Sequence, residues 1–126
     1  MIKTDILIIG AGPTGLFTVF EAGLLKMKCH ILDSLTQPGG QCIELYPKKP
    51  IYDIPGYPEI IAGDLIENLL EQIKPFQPSY TLGETALNLD VITGRSERVK
   101  INLPIGSVLL ILSKERVSGE LSSGRT

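Results

Sequence analysis

The chain has 126 residues, a formal net charge of −2 and 43% hydrophobic residues, which suits one domain that buries roughly two-thirds of its unfolded surface. No basic stripe occurs, so nothing points to a nucleic-acid partner, and no apolar run is long enough to span a membrane. One histidine and two well-separated cysteines assemble neither a metal site, a hydrolytic triad nor a Cys-x-x-Cys redox pair.

The first predicted element is a buried strand, Ile6 to Ile9. Asp5 before it and the glycines after it argue against a signal peptide, and the reading expects a cytoplasmic protein. The strand runs into Gly10-Ala11-Gly12-Pro13-Thr14-Gly15, a G-x-G-x-x-G turn. Gly10 is expected to allow a tight turn where a Cβ would clash. Gly12 would let the backbone approach a diphosphate, and Gly15 would let the next helix pack down on the sheet. That helix is expected from Pro13 to about Met27, with Leu16, Val19, Phe20, Ala22, Leu24 and Met27 as its apolar side chains. Pro13 suits the first helical turn, where no N–H is lost. The unpaired N–H groups of that turn and the positive end of the helix dipole would face the diphosphate.

A second strand follows as Cys29-His30-Ile31-Leu32 and closes on Asp33. An acid about twenty residues beyond the glycines completes the fingerprint of a dinucleotide-binding βαβ unit. Its carboxylate would accept hydrogen bonds from an adenosine ribose and repel a 2′-phosphate, so FAD or NAD fits and NADPH does not. The plainer alternative is that Asp33 only opens a turn with Ser34. Cys29 and His30 read as structural residues of this strand.

Gln37-Pro38-Gly39-Gly40-Gln41-Cys42 is a glycine-rich loop at the carboxyl end of a strand, the rim where α/β sheets bind ligands. Its plainer reading is a surface turn. Cys42 is near a cofactor at most, and not a catalytic thiol. Ile43 to Tyr46 is expected to form a helical turn. Pro47 to Pro58 holds four of the nine prolines and is expected to be an extended crossing, with Tyr46, Tyr52 and Tyr57 packing it down. A second helix follows, capped by Asp64 with Glu67 completing a capping-box-like pair; Leu65, Ile66, Leu69, Leu70 and Ile73 form its apolar face, and Pro75 and Pro78 end it. Ser79 to Leu82 reads as a short strand.

All seven aromatic residues lie at or before Tyr80. Beyond that, Val91-Ile92, Val99 to Ile101 and Val108 to Leu112 read as strands, and the Ser/Gly-rich end, Val117 to Thr126, reads as disordered.

With the glycine turn and the Gln37 to Cys42 loop both in view, the chain resembles the thioredoxin-reductase-like ferredoxin–NADP reductases. The matching stretches are Ile8 to Gly15, Ile31 to Ser34, Gln37 to Pro47, Ile51 to Ile60 and Ala62 to Pro75, within about residues 1–88. The resemblance implies a Rossmann-like α/β FAD-binding domain on a parallel sheet and electron transfer between NADPH and ferredoxin through FAD. It also implies that Thr14 lies at the pyrophosphate turn and Asp33 on the ribose, with Gln41 and Tyr46 along the FAD near the flavin and Ala86 at the adenine. Gly10, Gly12 and Gly15 complete the expected cofactor-binding set. No catalytic residue and no metal ligand is expected, and the family implies a homodimer.

From about Leu87 onward no resemblance is visible. The glycines there, Gly94, Gly106, Gly119 and Gly124, form no second dinucleotide motif. The reading is therefore an amino-terminal reductase portion, residues 1–88, and a divergent or frame-shifted tail, residues 89–126. Two alternatives stay open: a non-catalytic nucleotide-binding fragment whose sheet has an open edge, and a thioredoxin-reductase-type enzyme.

Overall fold

The structure, a computed structural model, describes residues 2–92, 97–103 and 106–112. The strands are β1 (Ile2–Thr4), β2 (Ile6–Ile9), β3 (Cys29–Asp33), β4 (Pro50–Ile51), β5 (Ile60–Ile61), β6 (Ser79–Leu82), β7 (Asn88–Ile92), β8 (Glu97–Leu103) and β9 (Gly106–Leu112). The helices are α1 (Pro13–Leu24), α2 (Gln41–Glu44) and α3 (Ala62–Ile73), with a 3-10 turn over Lys74–Phe76. The expected disorder of Val117 to Thr126 falls outside the described residues.

β2, β3 and β6 form a parallel sheet in the order β2-β3-β6, with Ile8 opposite Ile31 and Ile31 opposite Tyr80. This is the α/β arrangement the glycine turn predicts. Among the described residues, no strand pairs with the outer edge of β2 in this sheet. β1 joins a different sheet, in the order β1-β9-β8-β7, where it runs parallel to β9.

β3 is buried on both faces, as parallel strands covered on each side must be. Cys29 and Ile31 point into a core made with Ile8, Leu16, Val19, Leu65, Ile66, Leu69 and Ile73, so α1 and α3 cover that face. Leu32 packs on the other face with Ile101 and Leu103 of β8. His30, 1% exposed, lies 2.6 Å from Ser79 Oγ and 2.7 Å from Thr81 Oγ1 through its two ring nitrogens. A neutral imidazole donates at one nitrogen and accepts at the other, which both hydroxyls can match. Burial holds its pKa below the usual histidine value, and its ring links β3 to Ser79 and Thr81 of β6.

Several local expectations are corrected. α1 ends at Leu24, one turn before Met27. Lys26 takes a left-handed conformation, φ 58°, and the Met27 N–H turns back to the Ala22 carbonyl, closing the helix without a glycine. Asp64 is not the cap of α3: the N-cap is Ile61, with no side-chain bond. The Ala62 and Gly63 amides instead donate to the carbonyls of Lys49 (3.0 Å) and Pro47 (2.9 Å). Asp64 sits inside the first turn, where its charge favours the helix dipole. The helical turn expected at Ile43 to Tyr46 is α2 instead, starting two residues earlier.

The proline-rich crossing is partly paired, because β4 and β5 form an antiparallel ribbon. Its tyrosines are not packing anchors. Tyr46, Tyr52 and Tyr57 are 57%, 68% and 43% exposed.

Candidate functional site

The end of β2, the turn into α1 and the end of β3 meet at one crevice. Gly10 continues the sheet by donating to the Leu32 carbonyl at 2.8 Å, then turns with φ +112°. A Cβ there would meet nothing within 4 Å. The need for glycine is thus conformational and not the clash expected from the sequence, since an L side chain rarely adopts that φ. Gly15 is the opposite case. A Cβ on it would lie 2.1 Å from the Gly10 carbonyl oxygen and 3.2 Å from Ile8 Cγ2, so its lack of a side chain brings helix and strand together.

Gly12 is the N-cap of α1, with an ordinary φ of −75° and ψ of −177°. Nothing lies within 4 Å of the place a Cβ would take. Neither backbone strain nor internal packing requires glycine here; what it leaves is open space before the helix. The first intrahelical bond of this turn runs from Leu16 N–H to the Gly12 carbonyl, so the amides before Leu16 lack a helical acceptor. Thr14, exposed, occupies the second helical position.

Asp33 closes the crevice. Its Oδ2 accepts the Ala11 amide at 2.7 Å and its Oδ1 accepts the Leu35 amide at 2.9 Å. The second bond is the turn named as the plainer alternative in the sequence, so that reading holds in part. Two donors occupy two of about four lone-pair positions on a carboxylate, which leaves acceptors for further hydroxyls. Beside Asp33 a cleft of about 230 Å³ is lined by Gly10, Leu32, Ser34, Glu84 and Ala86, among others. Gly10, Asp33 and Ala86 therefore share one cleft, although 76 positions separate the first from the last.

The Gln37 to Cys42 loop reaches the same place. The Gly39 amide donates to the Ala11 carbonyl at 2.8 Å. Gly40, at φ +59°, is so close that a Cβ would stand 3.3 Å from Gly12 Cα. This puts Gln41, the first residue of α2, next to the glycine turn. Sequence reasoning placed the loop at the rim but missed its backbone contact with Ala11 and Gly12; the paired glycines were the available signal.

Tyr46 belongs to a second cleft, of about 450 Å³, with Cys42, Lys49, Ile51, Tyr52 and Asp53. Lys49 Nζ lies 5.2 Å from the centre of the Tyr46 ring, a cation–π distance. Among the described residues no group of histidine, cysteine and carboxylate side chains could hold a metal. Among the described residues no helix is long and apolar enough to cross a membrane.

The fold is the thioredoxin-reductase-like α/β fold. The crystal structure of T. acidophilum thioredoxin reductase superposes with a TM-score of 0.72 at 18% identity, covering 87% of this chain and 34% of that one. Lactococcus lactis thioredoxin reductase gives 0.68 at 22% identity, covering 85% and 33%.

By sequence, the chain is a homologue of the ferredoxin–NADP reductases. It is 77% identical over 90 residues to ferredoxin–NADP reductase 1 of Christiangramia forsetii, covering 71% of this chain and 26% of that protein. It is 70% identical over 102 residues to ferredoxin–NADP reductase 2 of the same organism, covering 81% and 29%. The Mesorhizobium japonicum ferredoxin–NADP reductase is 58% identical over 99 residues, covering 79% and 29%. The chain thus spans between a quarter and a third of the length of these relatives. A match of 102 residues also runs past Leu87, where the visible resemblance ended. No family model matches.

Proposed function

We propose that this chain is the FAD-binding portion of an oxidoreductase of the ferredoxin–NADP reductase type. The observation that carries the reading is Gly12, a glycine that the fold itself does not require, bordering open space at the start of α1. A diphosphate there would take hydrogen bonds from the first-turn amides at Thr14 and Gly15 and gain from the helix dipole. Asp33 would hold the ribose hydroxyls with its remaining lone pairs, and the cleft at Ala86 would take the adenine. Gln41 and Tyr46 would lie along the flavin half.

When bound, the flavin supplies the electron-transfer chemistry, while the chain supplies position and electrostatics. In this reading NADPH exchanges electrons with the flavin at one side and ferredoxin at the other; the relatives are named for ferredoxin and NADP. Residues 1–88 are the FAD-binding part in this reading, and residues 89–126 a tail of divergent sequence. A cytoplasmic location and a homodimer complete the proposal.

Titration calorimetry of the purified protein with FAD tests it. The expected result is saturable binding with one FAD per chain and an oxidised-flavin spectrum after gel filtration. A colourless protein with no heat of FAD binding would overturn it. Anaerobic addition of NADPH to the loaded protein separately tests electron transfer, by bleaching of the flavin band.

A further inference from the structure

Ala11 is the residue between the first two glycines, and it is completely buried. Both polar groups of its own backbone are engaged by other parts of the chain. Its N–H donates to Asp33 Oδ2 at 2.7 Å and its carbonyl accepts from the Gly39 amide at 2.8 Å. Asp33 is also braced from its other side, by the Leu35 amide at 2.9 Å. Gly39 is locked in turn: its φ is +122°, and a Cβ on it would stand 2.2 Å from Ile43 Cγ1.

We propose that Asp33 is a positioning residue for the diphosphate turn in addition to an acceptor for sugar hydroxyls, holding the Ala11 peptide in place from one side while Gly39 holds it from the other. This rests on the FAD-binding reading above. The physical argument is direct. The Ala11 N–H lies in a buried turn, where an unmet donor is costly, and a charged acceptor gives the strongest bond available to it. Fixing that peptide fixes the direction in which the chain enters Gly12 and the first turn of α1. The amides offered to an anion are therefore oriented before it arrives, which lowers the ordering cost of binding. The same peptide carries the Gly39 bond, so displacing it would also release the Gln37 to Cys42 loop from the crevice.

Two ligands separate the roles: ADP, and 2′,3′-dideoxy-ADP, which keeps the diphosphate but lacks the sugar hydroxyls. Asp33→Asn retains the shape but removes the charge and leaves one acceptor oxygen for the two amides that Asp33 holds; Asp33→Ala, which leaves none, is measured beside it. If Asp33 also positions the turn, the substitution weakens dideoxy-ADP roughly tenfold or more, and weakens ADP further. If dideoxy-ADP binds Asp33→Asn as well as it binds the unaltered protein while ADP is weakened, Asp33 acts through the ribose alone and the inference fails, with the FAD reading intact. Failure of the unaltered protein to bind either nucleotide or FAD would overturn both.

A ligand-free measurement needs no variant. Amide exchange of the unaltered protein should show Ala11 N–H strongly protected; exchange at the rate of an open turn amide would overturn the clamp. In Asp33→Asn, checked as folded by its amide spectrum, protection at Ala11 should drop while that at Ile8 and Ile31 persists.

Discussion

The glycine crevice and the tyrosine-lined cleft differ in how they are held. At the crevice each backbone group has a fixed place: Gly10 by its positive φ, Gly15 by contact with the Gly10 carbonyl, Ala11 by bonds at both ends. At the cleft the rings of Tyr46 and Tyr52 are more than half exposed, and Lys49 stands over the Tyr46 ring. A site that orients a diphosphate by backbone amides must be rigid in advance, because amides cannot be re-aimed without moving the chain. A cleft that receives a flat apolar group can leave its side chains exposed until the group covers them.

Substitutions can break this contrast. The largest effect is expected for Gly15→Val, which drives a side chain into the Gly10 carbonyl; it should cost about 3 kcal/mol or more in urea unfolding. A stability close to that of the unaltered protein would mean that helix and strand separate easily. Gly12→Val is the sharper test. Its φ and surroundings accept a side chain, so stability should change by no more than about 1 kcal/mol, yet FAD retention should be abolished. Retained FAD would remove the crevice as the diphosphate site.

A smaller effect concerns pH. Burial lowers the pKa of folded His30 below 6.5, so the unfolded chain takes up a proton before the folded one does. His30 then contributes full stability above its unfolded pKa, and the contribution is lost as pH falls from 6.5 towards the folded value. Thermal melts from neutral to mildly acidic pH should show this decline, and His30→Gln should flatten it. An equal slope in both proteins would mean that the imidazole is protonated in place. The smallest effect is expected at Tyr52→Ser, within about 0.5 kcal/mol, because the ring is 68% exposed. A large loss there would show that the cleft is as firmly built as the crevice.

What could be read in advance follows the same division. The glycine turn, α1 and the acid at Asp33 obey rules of backbone conformation and spacing that act within a few residues, and they are legible in the sequence. The cap of α3 is not, because Asp64 offers the local signal while the carbonyls of Pro47 and Lys49 do the capping from across the proline-rich segment. Nor does composition reveal that Tyr46, Tyr52 and Tyr57 face solvent, since aromatic rings in a proline-rich stretch resemble packing anchors. The Ala11 clamp joins three separate stretches of chain, and only coordinates bring them together. The Asp33 turn is present as the Leu35 amide bond, and it leaves lone pairs of the carboxylate for the sugar hydroxyls of the proposed function.

Asp5 alone separates β1 from β2, yet the two strands lie in different sheets, and β1 pairs Ile2 with Val108 and Thr4 with Leu110. During synthesis the first strand therefore has to wait until nearly the whole described chain has emerged before it meets its partner. Closing so long a loop is slow and entropically expensive. The amino terminus should thus be the last part of the sheet to settle and the first to fray, while the neighbouring strand, a single residue away, can dock onto β3 at once.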